Sequence, residues 1–288
     1  MLLIKSAGIT DVGLKREGNE DAYSADDELR FYVVADGMGG HLAGEVASRI
    51  AVDLITKTFR QWSLAGASSE DLFGQTDPSL SMYGNYLLSG IRLANRVIHE
   101  LASSDERYQG MGTTVAALAI FPSLVIAANV GDSRIYLVRD GGLERLSKDH
   151  TIVSEQIEMG IVSVEEAESS PLRHILTKNL GSSEEVYPDI FELIPANNDR
   201  YILCTDGLTD LVSDDEILDM TAMANSPDHL CRDFVDLVLK RGGHDNTTVI
   251  SIFLTGIQKK KEGPIRKTGI MVADLWFAIR KGLRKIKP

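Results

Sequence analysis

The chain has only two cysteines among its 288 residues, Cys204 inside an apolar run and Cys231 in a helical stretch. That scarcity excludes a disulfide framework and a thiolate zinc site, and it points to a reducing, cytoplasmic setting. Apolar runs of the about eighteen residues that a membrane span needs are also missing. The opening stretch lacks the long apolar segment of an export signal, because Lys5 interrupts Leu2 to Ile4. No internal repeat and no Pro-rich or Gly/Ser-rich linker divides the first 255 residues, which read as one domain.

Charge is present but unevenly placed. Residues 256 to 288 hold ten of the 30 Lys and Arg and two of the 42 Asp and Glu, a balance of +8. Subtraction from the formal net charge of −12 leaves −20 for residues 1 to 255. So acidic a domain repels a nucleic-acid backbone and suits cation binding.

Apolar, β-branched or aromatic runs predict strands at Phe31 to Ala35, Thr113 to Ile120, Leu124 to Val130, Arg134 to Val138, Tyr201 to Thr205 and Thr247 to Leu254. Helical spacing links Val46, Ile50 and Leu54, then Leu87, Ile91, Leu93 and Val97, then Phe234, Leu237 and Val238. The first of these helices is expected to cover Gly44 to Thr58. Gly131-Asp132-Ser133 is too short for a parallel crossover between its flanking strands, so at least part of the sheet is expected to be antiparallel. Long helices among antiparallel strands favour an α+β layered sandwich over a doubly wound parallel fold.

Function is carried by where the acids fall. Asp36 follows the Phe31 strand directly, Asp132 the Val125 to Val130 run and Asp206 the Tyr201 strand; Asp245 precedes the last strand, and Glu20-Asp21 adds two more carboxylates. A lone Asp-Gly at a strand end is usually a turn. Four together are different, because strands position their ends rigidly and can bring such carboxylates to one rim. Two unit charges about 4 Å apart repel by about 4 kcal/mol at an effective dielectric of about 20, so a set of them requires cations. Oxygen ligands favour magnesium, manganese or calcium over zinc. In Asp36-Gly37-Met38-Gly39-Gly40-His41, glycines allow close approach of the backbone and expose a carbonyl as a further ligand. The segment lacks the ending of a nucleotide P-loop and the spacing of a dinucleotide fingerprint.

The ordered motifs Arg16-Glu17-Gly18-Asn19-Glu20-Asp21, Asp36 to His41, Gly110-Met111-Gly112-Thr113-Thr114, Gly131-Asp132-Ser133-Arg134, Cys204-Thr205-Asp206-Gly207-Leu208-Thr209-Asp210 and Gly243-His244-Asp245-Asn246 resemble the metal-dependent serine/threonine protein phosphatases of the 2C type, the PPM family, in its bacterial branch. The resemblance spans about residues 6 to 254. It implies a four-layer αββα sandwich of two antiparallel β-sheets flanked by helix pairs. It also implies hydrolysis of phosphoserine and phosphothreonine in proteins by a metal-bridged hydroxide at a centre of two or three Mn2+ or Mg2+ ions. By the same resemblance Asp36 bridges two metals, Gly37 offers its carbonyl, Glu20 completes one shell, Asp206 and Asp245 hold the other, and Asp21 stands behind them. A third, weaker metal falls on Asp132, Asp206 and Asp210, and Arg16 looks like the phosphate clamp. Read without the other motifs, Arg16 is better taken as a surface residue paired with Glu17 or Glu20.

Met38 stands where many eukaryotic members carry a histidine, a candidate general acid. For His41, helix capping, loop anchoring and catalysis are all open readings. His150, His174 and His244 sit beside the motifs without having to be ligands, and His99 and His229 read as surface or core residues. The segment from Lys148 to Gly181, helical, acidic and interrupted at Gly160 and Pro171, resembles the flap that borders the cleft in bacterial members.

Outside the resemblance, Ile270 to Ile279 is apolar, carries Trp276 and Phe277, and is flanked by Lys259-Lys260-Lys261 and by Arg280, Lys281, Arg284, Lys285 and Lys287. Such a tail, 256 to 288, fits an anionic membrane surface, an acidic partner or plain solvent. Two rivals to the phosphatase reading are a binding module that has lost catalysis and a metal hydrolase of small phosphate esters. The complete set Glu20, Asp36, Asp206 and Asp245 speaks against the first, and the lack of a nucleotide signature against the second. The expected partners are phosphoprotein substrates of a bacterial-type serine/threonine kinase, and the expected state is a monomer.

Overall fold

The computed structural model describes residues 2–40 and 42–257, so the readings made for His41 and for nearly all of the basic tail lie outside the described residues. Its strands are β1 (Leu3–Asp11), β2 (Asp21–Asp26), β3 (Phe31–Met38), β4 (Gly112–Thr113), β5 (Val115–Phe121), β6 (Leu124–Val130), β7 (Arg134–Arg139), β8 (Gly142–Arg145), β9 (Asp189–Leu193), β10 (Arg200–Cys204) and β11 (Thr247–Thr255). The α-helices are α1 (Leu42–Ala65), α2 (Met82–Ser104), α3 (Ile152–Glu158), α4 (Val164–Glu168), α5 (Asp206–Thr209), α6 (Asp214–Met223) and α7 (Pro227–Lys240).

One sheet runs β1-β11-β10-β7-β8 and the other β2-β3-β5-β6-β9, with β4 paired to β3. All their pairings are antiparallel. The period of two explains the stacking. Phe31, Val33 and Ala35 of β3 face a core shared with Ile55 and Phe59 of α1 and Leu87 and Ile91 of α2. Tyr32 and Val34 face the other way, against Leu137, Tyr201, Leu203 and Ile250 of the second sheet. Beyond that sheet, Ile202 and Cys204 pack on Ile217 of α6 and Phe234 and Val238 of α7. The order is helix pair, sheet, sheet, helix pair, so the expected four-layer α+β sandwich is present. Central strands with apolar residues on both faces are what burial between two layers requires.

Three details correct the sequence reading. Asp36 does not follow its strand but lies inside it, because β3 continues to Met38 by pairing Gly37 with Thr113 and Met38 with Gly112. The strands around Gly131-Asp132-Ser133 do not form a hairpin: β6 pairs with β5 and β9, and β7 with β10 and β8, so this short turn carries the chain from one sheet to the other. Gly131 makes the corner with φ +97°, where a side chain would collide with Thr114. The flap segment is helical only through α3 and α4, and the backbone after Ser170 is irregular.

Both cysteines are buried, Cys204 on β10 and Cys231 on α7, and burial pushes their thiols up to about 12 and about 11. Such thiols are unreactive. Among the described residues no helix is long and apolar enough to cross a membrane.

Candidate metal centre

The site is assembled from both sheets at one rim. The antiparallel register of β2 and β3 sets Asp21 opposite Asp36. Just before β2, the Glu20 backbone is fixed on three sides: its N–H donates to Asn246 Oδ1 at 2.8 Å, and its carbonyl accepts from Gly37 N at 3.2 Å and Ser48 Oγ at 2.6 Å. Gly37 is enclosed so closely that a Cβ there would overlap the Gly44 carbonyl and come 2.6 Å from that of Glu20. From the other sheet, Asp206 opens α5 directly after β10, and Asp245 stands before β11. Asp132 sits in the turn that joins the two layers.

Asp21 shows how the layers meet. One of its carboxylate oxygens accepts from Thr205 Oγ1 at 3.0 Å and Thr248 Oγ1 at 2.6 Å, both at the end of the opposite sheet. Its second oxygen, and Oδ1 of Asp206, are buried without a hydrogen-bond donor among the described residues. Buried carboxylate oxygens with no donor are costly unless a cation serves them.

Electrostatics agree. Burial, then the neighbouring Asp21, Asp206 and Asp132, push the Asp36 carboxyl well above its ordinary value. Burial, then Asp206 and Asp149, push Asp132 up to about 8. Burial lifts Asp21 to about 7 against the opposing hydroxyls of Thr248 and Thr205. Of these four, Asp206 alone goes down: burial opposes its charge, but the neighbouring His174, 3.6 Å away, and Asp36 outweigh it. Without cations these buried carboxylates oppose one another's charge, and divalent cations would relieve that opposition. A donor set of carboxylates and one peptide carbonyl fits hard cations such as Mg2+ and Mn2+.

Asp206, Asp132 and His174 each offer a ligand atom within 4.8 Å of the others. Asp210, one turn on, hydrogen-bonds back to Asp206 through its backbone at 2.8 Å, and burial and Asp206 raise its carboxyl. Its Oδ2 lies 3.6 Å from His174 Nε2, 3.6 Å from Arg173 Nη2 and 3.4 Å from His244 Nε2. Sequence reasoning left His174 without a role. Its one signal was its place in the flap motif, and only the fold of residues 169–181 back over the rim brings it to Asp206. Arg16 Nη2 binds Asp245 Oδ2 at 2.8 Å and not the adjacent Glu17, a partner 229 positions away that no local pattern could reveal. Met38 Sδ accepts from Asn179 Nδ2 at 3.3 Å. His99 holds the Gly181 carbonyl at 2.9 Å, and His229 is exposed on the first turn of α7.

With this geometry in view, comparison with known proteins becomes specific. Residues 15–233 match the family model described as protein phosphatase 2C. Protein phosphatase PhpP of Streptococcus pneumoniae is 35% identical over 248 residues, covering 84% of this chain and 94% of PhpP. A serine/threonine phosphatase, stp, of Listeria welshimeri is 34% identical over 256 residues, 88% of this chain and 97% of its own. Among solved structures, a Streptococcus agalactiae serine/threonine phosphatase superposes with a TM-score of 0.76 at 33% identity, over 87% of this chain and 99% of that one. The catalytic domain of PstP in complex with two manganese ions gives 0.74 at 31% identity, over 89% and 100%. An acid-lined rim on an αββα sandwich and these likenesses lead to one assignment: the chain belongs to the protein phosphatase 2C family, metal-dependent serine/threonine phosphatases that use Mn2+ or Mg2+.

Proposed function

We propose that phosphoserine and phosphothreonine hydrolysis takes place at the rim where Asp36, Asp132 and Asp206 converge, with Asp36 shared between two cations. Glu20 and the Gly37 carbonyl would complete the shell of one cation, and Asp206 and Asp245 would hold the other. Asp21 would orient the group from behind, and Asp132 and Asp210, with Asp206, would take a third, weaker cation. The observation that carries this reading is the buried carboxylate cluster drawn from both sheets, in which one oxygen each of Asp21 and Asp206 has no donor among the described residues. When bound, the cations polarise the phosphoryl group and lower the pKa of water towards neutrality.

The chain's own residues then position the substrate. Arg16, half-exposed at the edge of the rim, grips two phosphate oxygens through its planar fork, which Lys could not reproduce. A charge-assisted contact of this kind contributes about 1.5–3 kcal/mol, so Arg16→Ala should raise KM for a phosphopeptide by about 10–100-fold. Manganese binding by the free protein should persist. An unchanged KM would remove Arg16 from the phosphate site. The segment 169–181 borders the same rim, since Arg173 and His174 reach Asp206 and Asp210. Segment 148–181 therefore selects among phosphoproteins, and exchanging it with that of a relative should change substrate preference.

Family membership makes phosphoproteins the substrates. We place the enzyme in the cytoplasm as a monomer that opposes a bacterial-type serine/threonine kinase, with 256–288 as the segment that would bring it to the inner membrane face. Deleting that segment without altering membrane fractionation would remove the last point.

The test of the central reading is phosphate release from phosphothreonine and phosphotyrosine peptides with Mn2+, with Mg2+ and with EDTA. Release from phosphothreonine with either cation, falling to background in EDTA, is expected. Folded protein that is inactive on every phosphoester with both cations would overturn it.

A further inference from the structure

His150 is buried, with 3% of its surface exposed, and nothing above gives it a task. Its ring stands between the Asp132 turn and the base of the flap. Gly131 N–H donates to His150 Nδ1 at 3.0 Å, which fixes the tautomer: Nδ1 is the acceptor and the ring proton is on Nε2. Nε2 faces Asp189 Oδ2 at 3.3 Å, and the other oxygen of Asp189 lies 3.6 Å from Lys178 Nζ. The approach is close but is not a hydrogen bond, since Nε2 has no partner of hydrogen-bond geometry among the described residues.

The backbone of His150 is engaged at both ends as well. Its N–H donates to the Gly131 carbonyl at 3.0 Å, and its carbonyl accepts from Thr177 N at 2.8 Å. One residue therefore grips both backbone groups of Gly131, the residue before Asp132, and also the irregular segment by which the flap returns. The flap closes immediately beyond it, where Thr151 pairs with Leu176. His174, which faces Asp206, is two residues before that closure. Asp132 and His174 come from segments far apart in sequence, and His150 is the point at which both are tied to one frame.

We propose that His150 is the positioning residue that holds Asp132 and the flap-borne His174 at a common distance, and so sets the affinity of the weakest cation site. The inference rests on the reading of Asp132 as a cation ligand. It predicts an order among substitutions. His150→Leu fills the space but removes the acceptor for Gly131 N–H. His150→Asn places an amide oxygen where Nδ1 stands and gives up only the Asp189 contact. Outer residues that orient metal ligands typically change affinity by about 10–100-fold when lost.

The experiment is Mn2+ titration of the full chain without substrate, followed by electron paramagnetic resonance and calorimetry, on the wild type, His150→Leu, His150→Asn, Asp189→Asn and Asp132→Asn. Circular dichroism and a thermal midpoint establish that each variant is folded. His150→Leu is expected to weaken the last Mn2+ to bind by at least about 10-fold while the tighter ions bind as before, with His150→Asn recovering most of the loss. Should His150→Leu fail to fold, Asp189→Asn, which leaves the Gly131 contact in place, is expected to weaken the same ion by a smaller factor. If Asp132→Asn weakens the last ion but the folded His150 and Asp189 variants do not, the positioning role is wrong and the site stands. If Asp132→Asn changes nothing, Asp132 is no ligand and the inference falls with it.

Discussion

Asp36→Asn should all but abolish phosphate release and yet make the protein harder to unfold in EDTA. The activity loss follows from the place of Asp36 at the centre of the rim, where the reading above has it serve two cations at once. A fall in kcat/KM of at least about 10³-fold, or ~4 kcal/mol, is expected with Mn2+ present. The gain in stability follows from the same position. Burial, Asp21, Asp206 and Asp132 all oppose a charge on Asp36, and a neutral amide of the same shape removes that opposition. Relief of about 1–2 kcal/mol is expected, an upward shift of about 3–6 °C for a domain of this size. Peptide assays and thermal scans in EDTA measure the two halves. A variant that keeps a tenth of its activity would take Asp36 out of the centre, and a lower midpoint would mean that its charge is not opposed.

Gly37→Ala should have the opposite balance, with a large loss of fold stability. The Cβ would overlap the Gly44 carbonyl at the start of α1 and press on the Glu20 carbonyl. Both are backbone atoms, and the Glu20 carbonyl already accepts from Gly37 N and Ser48 Oγ, so neither can turn aside as a side chain tip would. A cost of about 3 kcal/mol or more is expected, lowering the thermal midpoint by about 6–12 °C. Gly40→Ala is the control, because nothing lies within 4 Å of a Cβ there and only its positive φ resists. Equal midpoints for wild type and Gly37→Ala would show that α1 shifts to make room.

The sequence made the interior of the sandwich legible and left its margins dark. The six strands read from apolar runs include every interior strand of both sheets, and the four that escaped, β1, β2, β8 and β9, are the four sheet edges. Edge strands pair on one side and are partly wet, so stretches such as Leu3–Asp11, with Lys, Ser, Gly and Thr, carry no apolar signature. Helix α6 also went unread, although Ser213-Asp214-Asp215-Glu216 is a capping box and announces its start. In the site, the acids were legible because they stand beside apolar runs or within short motifs, where type and position are both local information. The partners of Arg16, His150 and His174 were not, since Asp245, Asp189 and Asp206 reach them only through the packing of distant segments.

The hydroxyls that hold Asp21 belong to the sheet opposite its own, and the proposed cation ligands are divided in the same way: Glu20, Asp36 and Gly37 with one layer, Asp206 and Asp245 with the other. Neither layer by itself offers both cations their ligands. A chain still folding, or one split at this rim, would keep the ligands of at most one of them. The ability to hydrolyse phosphate thus arises only when the two layers have closed on each other, so hydrolytic competence certifies that the molecule is finished.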